Sequence, residues 1–161
     1  MSRPFAPRLR VSSYLSDWMP TGDTTRQSVA GYFAGGLDAS PAYLAGIDRI
    51  AFPADTKTTL GATISPARYL AAGFANSGVA GYVAAGNGSS TGNEIDKVSF
   101  PAETRSALAS TTSIAGFLAF GMANSGVAGY VAGFYDGNRY SAINKLTFSS
   151  DARSVLSATL T

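Results

Sequence analysis

The stretch Ala75-Asn76-Ser77-Gly78-Val79-Ala80-Gly81-Tyr82-Val83 recurs letter for letter as Ala123-Asn124-Ser125-Gly126-Val127-Ala128-Gly129-Tyr130-Val131. A shorter copy, Ser28-Val29-Ala30-Gly31-Tyr32-Phe33, precedes both. Identity over nine consecutive residues does not follow from composition, even where Ala and Gly abound, so the chain is built from internal repeats. Gly31, Gly81 and Gly129 lie 50 and 48 residues apart, and Ile47, Ile95 and Ile143 lie 48 and 48 apart. The first unit thus carries two extra residues near Ser40-Pro41-Ala42, in one tolerant connection. An arm, residues 1–27, precedes a repeat domain, 28–161, with units of about 28–77, 78–125 and 126–161.

Each unit reads as short strands. Gly81-Tyr82-Val83-Ala84 is the first, and the second alternates, with Ile95, Lys97 and Ser99 on one face and Asp96, Val98 and Phe100 on the other. Ile47 to Phe52 and Ile143 to Phe148 repeat that frame. Turns follow at Pro53-Ala54-Asp55-Thr56 and Pro101-Ala102-Glu103-Thr104. Third strands are expected over Thr58–Ile64, Ser106–Thr112 and Ser154–Leu160, and fourth strands over Tyr69–Phe74 and Phe117–Met122. Ala-Asn-Ser-Gly is then expected to turn the chain into the next unit, since Gly and Asn tolerate positive φ. Helix competes where Ala clusters, but interspersed Gly and β-branched residues and the lack of an i, i+4 stripe favour an all-β chain.

Four strands in about 48 residues match a β-propeller blade of the kelch length class. Three blades do not close a ring, and after Leu160 nothing matches Phe117–Met122. Ser13-Tyr14-Leu15-Ser16 is similar to Arg68-Tyr69-Leu70-Ala71 and suits the absent fourth strand. The expected architecture is therefore three kelch-like blades completed by oligomerisation, with a dimer giving a six-bladed ring free of sheet edges.

Composition narrows the chemistry. Cys and His are absent, which removes disulfides, thiolate sites, the commonest metal ligand and the commonest general base. No metal site and no cofactor are expected. Arg3, Arg8 and Arg10 precede the first acid, Asp17, so of the net charge of +2 the arm supplies +3 and the remainder −1. A near-neutral body lacks the clustered cations of a nucleic-acid footprint. The first 20 residues lack the apolar core of a secretory signal. Residues 69–93 and 113–135 carry no charge, but their Gly, Ala, Ser and Asn content disfavours membrane insertion.

The pattern Gly-Tyr-Phe-Ala-Gly-Gly (Gly31 to Gly36), Ile-Asp-Arg-Ile-Ala-Phe (Ile47 to Phe52) and Ala-Thr-Ile-Ser (Ala62 to Ser65) resembles kelch-type repeats in bacteriophage virion proteins, chiefly tail-fibre and tail-associated chains. The resemblance covers residues 28–161. The double Gly of the first unit becomes Ala85-Gly86 and then Gly133-Phe134, which places Phe134 where a small residue is usual, at an expected inter-subunit seam. The resemblance implies a virion component, assembled in the host cytoplasm, that is a non-enzymatic structural protein with possible binding to a host-surface glycan. A capsid decoration protein is the alternative. A carboxylate-based glycan hydrolase ranks third, because the acids recur once per unit rather than converging.

Asp55, Glu103 and Asp151 recur at one turn position, each followed two residues later by Lys57, Arg105 or Arg153. Turn capping and a surface ion pair explain them, and the same holds for Asp48 and Asp96 beside Arg49 and Lys97. Asn87 to Gly92 lacks the Lys-Ser/Thr ending and the following helix of a phosphate loop. Better candidates lie in the loops on one side of the repeat: Tyr135, Asp136, Asn138, Arg139 and Tyr140, an aromatic and polar set suited to carbohydrate, together with Asn87 and Asn93. In the arm, Arg3, Phe5, Arg8, Arg10 and Trp18 suit an extended anchor docking on the acidic surface of another virion protein.

Overall fold

The computed structural model describes residues 29–161, so the arm residues Arg3, Phe5, Arg8, Arg10 and Trp18 and the strand expected at Ser13-Tyr14-Leu15-Ser16 lie outside the described residues. The described chain is all-β, with strands and no helix. β1 (Ala30–Leu37), β2 (Tyr43–Ala51) and β3 (Thr56–Thr63) form sheet 1. β4 (Ala72–Asn76), β5 (Ala80–Asn87), β6 (Thr91–Ser99) and β7 (Thr104–Ala107) form sheet 2. β8 (Phe120–Asn124), β9 (Ala128–Ala132), β10 (Ala142–Thr147) and β11 (Ala152–Thr159) form sheet 3. Each sheet is an antiparallel meander of consecutive strands. Its register repeats with the sequence: Ile95 faces Ala84 and Val98 faces Gly81, as Ile143 faces Ala132 and Leu146 faces Gly129.

The repeated nine-residue stretch does not join one sheet to the next, as the sequence suggests, but lies inside a sheet. Val79 N–H donates to the Asn76 carbonyl and Val127 N–H to that of Asn124, both at 3.0 Å, while Gly78 and Gly126 take φ of 73° and 80°. A turn this tight returns the chain antiparallel beside itself, so β4 must pair with β5 and β8 with β9. The true connections are 64–71 and 108–119. The strands around them are displaced accordingly: β4 and β8 begin three residues later than expected, and β7 ends at Ala107.

The core lies between sheets. Phe74, Tyr82, Ala84 and Ile95 of sheet 2 and Val131, Leu146 and Phe148 of sheet 3 share one buried cluster. Ile47, Ile64 and Val98 form a smaller one with Tyr32, Val83 and Phe100 between sheets 1 and 2. Small residues make the approach possible. A Cβ on Gly121 would stand 2.3 Å from the Gly73 carbonyl oxygen, and one on Gly129 would stand 2.2 Å from the Phe74 ring. Phe134, expected at a seam between subunits, is buried in the cluster of sheets 2 and 3.

Candidate functional site

The repeated turn acids do not pair with the cation two residues on. Asp55, Glu103 and Asp151 take φ of 51°, 53° and 51°, a left-handed conformation that Asp tolerates better than most residues, and two of them reach back to the preceding sheet. Glu103 accepts from the Tyr32 hydroxyl at 2.8 Å and pairs with Arg49 Nε at 3.1 Å. Asp151 accepts from the Tyr82 hydroxyl at 3.1 Å and from Lys97 Nζ at 2.6 Å. Burial, the Asp151 charge and this hydrogen bond raise the Tyr82 pKa, in that order. Lys57 and Arg105 turn instead to acids of their own sheets: Lys57 pairs with Asp48 at 2.8 Å and Arg105 with Asp96.

Asp96 is the one fully buried acid among the described residues, and the expectation of a surface pair with its neighbour does not hold. Its Oδ2 accepts from Arg68 Nη2 at 2.7 Å and from Ser65 N–H at 3.2 Å, and its Oδ1 faces Arg105. Arg68, equally buried, also donates to the carbonyls of Pro66 and Val83 at 3.0 and 3.1 Å. One repeat later the same positions hold Gly116 and Asn144, and Ser113 N–H donates to Asn144 Oδ1 at 2.8 Å. A Cβ on Gly86 would meet the Arg68 side chain at 3.0 Å, whereas a Cβ on Gly116 would meet that of Phe134 at 3.3 Å. The space is thus filled by Arg68 from the connection before β4 in sheet 2 and by Phe134 from the segment just after β9 in sheet 3. Where the guanidinium goes, the acid becomes an amide. The cluster is structural: both charges are sealed from solvent and satisfy each other.

The loop 134–141 is the exposed polar site. Asp136 Oδ1 accepts from Asn138 N–H at 2.9 Å, and Oδ2 accepts from the Tyr140 hydroxyl at 2.9 Å. These bonds, the backbone one first, hold the Asp136 carboxyl below its ordinary range, and the same partnership raises the Tyr140 pKa. Tyr135 packs edge-on to Phe117, and Arg139 makes no ion pair among the described residues. Beside the loop runs an open groove of about 770 Å³ lined by Leu118, Phe120, Tyr135, Arg139, Tyr140 and Leu160, among others. Asn87 sits at the matching place in sheet 2, donating to the Tyr69 hydroxyl at 3.3 Å, while the Asn93 carbonyl accepts from Thr112 N–H at 2.8 Å. The structure therefore brings Tyr135, Asp136, Asn138, Arg139 and Tyr140 together and holds Asn87 and Asn93 by separate bonds. Aromatic walls with a polar rim can stack on a sugar ring and bond its hydroxyls. No three groups of the metal-ligating kind converge among the described residues.

No protein-family model matches the chain, and no curated protein matches it significantly.

Proposed function

We propose that the chain is a non-enzymatic structural and binding protein of a bacteriophage particle, a tail-fibre or tail-associated component whose sheets act as kelch-like propeller blades. The observation that carries this reading is the use of the acids. Glu103 and Asp151 serve the seams between sheets and Asp96 the core, so these three carboxylates work as structural parts. The virion setting rests on the resemblance of Gly31–Gly36, Ile47–Phe52 and Ala62–Ser65 to phage repeats. In this reading the arm, through Arg3, Phe5, Arg8, Arg10 and Trp18, anchors the protein to another virion component, further copies complete the ring, and Tyr135 to Tyr140 meet a host-surface glycan.

Deleting residues 1–20 is expected to abolish incorporation into particles. Replacing Tyr135, Arg139 and Tyr140 by Ala is expected to reduce adsorption to cells with particle assembly intact. Unchanged adsorption by such particles would move the assignment to capsid decoration, and incorporation without the arm would refute the anchor.

A further inference from the structure

At each seam the earlier sheet supplies a tyrosine and a cation, and the later sheet a phenylalanine and an acid. Between sheets 1 and 2 Tyr32 stacks on Phe100, ring centroids 4.8 Å apart, while Tyr32 and Arg49 hold Glu103. Between sheets 2 and 3 Tyr82 stacks on Phe148 at 5.3 Å, while Tyr82 and Lys97 hold Asp151. One repeat further on, the same positions are Tyr130 and Lys145 of sheet 3. One repeat back, they are Phe52 and Asp55 of sheet 1. Among the described residues none of these four makes a ring contact, side-chain hydrogen bond or ion pair. The chain thus carries the two halves of a third seam on its two end sheets.

We infer that the halves meet between molecules: Tyr130 and Lys145 of one copy of this chain dock head to tail on Phe52 and Asp55 of a second copy. Charge is complementary, a cation facing an acid as at both internal seams. Apolar exposure is continuous with those seams. Phe52 is 46% exposed where its equivalent Phe148 is 8%, and Met122 is 69% exposed where its equivalent Phe74 is 9%. Phe74 lies against Gly129 and stacks on Phe148; their equivalents in sheet 1 are Gly31 and the Phe52 ring beside it, so Met122 would meet both on the second copy. Phe120, 79% exposed on the groove of sheet 3, stands where Ala72 of sheet 2 is covered by sheet 3. Phe33 is the exposed counterpart of buried Val131 on the opposite end sheet. Large apolar groups left open at matching ends mark an interaction face. The contact is heterologous, so it yields a ring if the rotation closes and a filament if it does not.

This deepens the ring part of the reading above and is independent of the virion setting. The test is sedimentation velocity of the full chain over a concentration series, with circular dichroism to verify the fold of each variant. Wild type is expected to assemble beyond the monomer. Lys145→Glu and Asp55→Lys are each expected to weaken association at least ~10-fold, and the two together in one chain to restore it, because opposite charges then face each other again. Tyr130→Ala is expected to weaken it about 10-fold through loss of the ring stack. Lys145→Met removes the charge with little change of shape and replaces any reversal variant that fails to fold. A monomeric wild-type chain overturns both ring and docking. Assembly unaffected by the single substitutions overturns the docking alone and leaves the ring to another surface.

Discussion

Asp96→Asn is the substitution for which the structure sets the clearest expectation. It removes one charge and keeps the shape of the side chain. Arg68 is buried, and its Nη2 donates to Asp96 at 2.7 Å, so the amide leaves a desolvated guanidinium without its counter-ion. Breaking a buried pair from one side costs about 3–5 kcal/mol. Arg68→Met alone leaves Asp96 with Arg105 and the Ser65 amide, and forfeits the bonds to the Pro66 and Val83 carbonyls, at about 1 kcal/mol each. Combining the two removes both buried charges and leaves Arg105 free to reach solvent. The pair of substitutions is therefore expected to be more stable than Asp96→Asn alone by at least ~2 kcal/mol, a coupling typical of groups in direct contact. Sheet 3 already lives with the neutral combination, Gly116 and Asn144. Urea unfolding followed by circular dichroism at one protein concentration measures this. With a slope of about 1–3 kcal/mol/M, the rescue corresponds to a midpoint shift on the order of 1 M. Strict additivity, or a double variant weaker than Asp96→Asn, would refute the claim that the uncompensated guanidinium is what costs.

Two other perturbations probe the packing between sheets. Gly121→Ala drives a Cβ to 2.3 Å from a backbone oxygen that has no rotamer to escape into, and is expected to cost about 1–3 kcal/mol, while Gly73→Ala, with open space around the new methyl, serves as its near-neutral control in the same thermal melts. Burial is the leading cause of the raised Tyr32 and Tyr82 pKa values. Both hydroxyls therefore contribute stability that is complete below the ordinary value of 10.0 and is lost as pH rises from there toward the folded value. Denaturant midpoints measured from pH 8 to pH 11 are expected to fall above about 10, and Tyr82→Phe to flatten that decline. An unchanged slope in Tyr82→Phe would sink the assignment.

The repeat, the all-β class and the alternating second strand were legible because each rests on local pattern. Asp96, Val98 and Phe100 alternate on the page with Ile95, Lys97 and Ser99, and the register of Ile95 and Val98 recurs unchanged at Ile143 and Leu146. The phase of the repeat was not legible in the same way. A strand–turn–strand segment reads identically whether its strands belong to one sheet or to two, and only the pairing of Ala75 with Gly81 decides between them. The partners of the acids were hidden for a related reason. Glu103 and Asp151 stand two residues before Arg105 and Arg153, but the acids lie in turns with φ of 53° and 51°, just ahead of the strands that carry those cations, so strand periodicity does not place the carboxylates beside them. Arg49 and Lys97, each some fifty residues away, reach the acids across a seam.

One signal lay in the sequence and needed only the repeats to be read against one another. Forty-eight residues on, Arg68, Gly86 and Asp96 become Gly116, Phe134 and Asn144, three changes at one fixed offset. Such concerted change within a single chain means that the three positions share a volume and a charge balance, and in the structure they do. The same comparison makes the end sheets informative. Tyr130 and Lys145 retain the tyrosine and the cation that the internal seams use, and Phe52 and Asp55 retain the ring and the acid. At a surface facing only water nothing in the packing calls for that combination, and exposed Phe and Met add no stability there. Its retention at both ends follows directly if each end meets the other on a second copy.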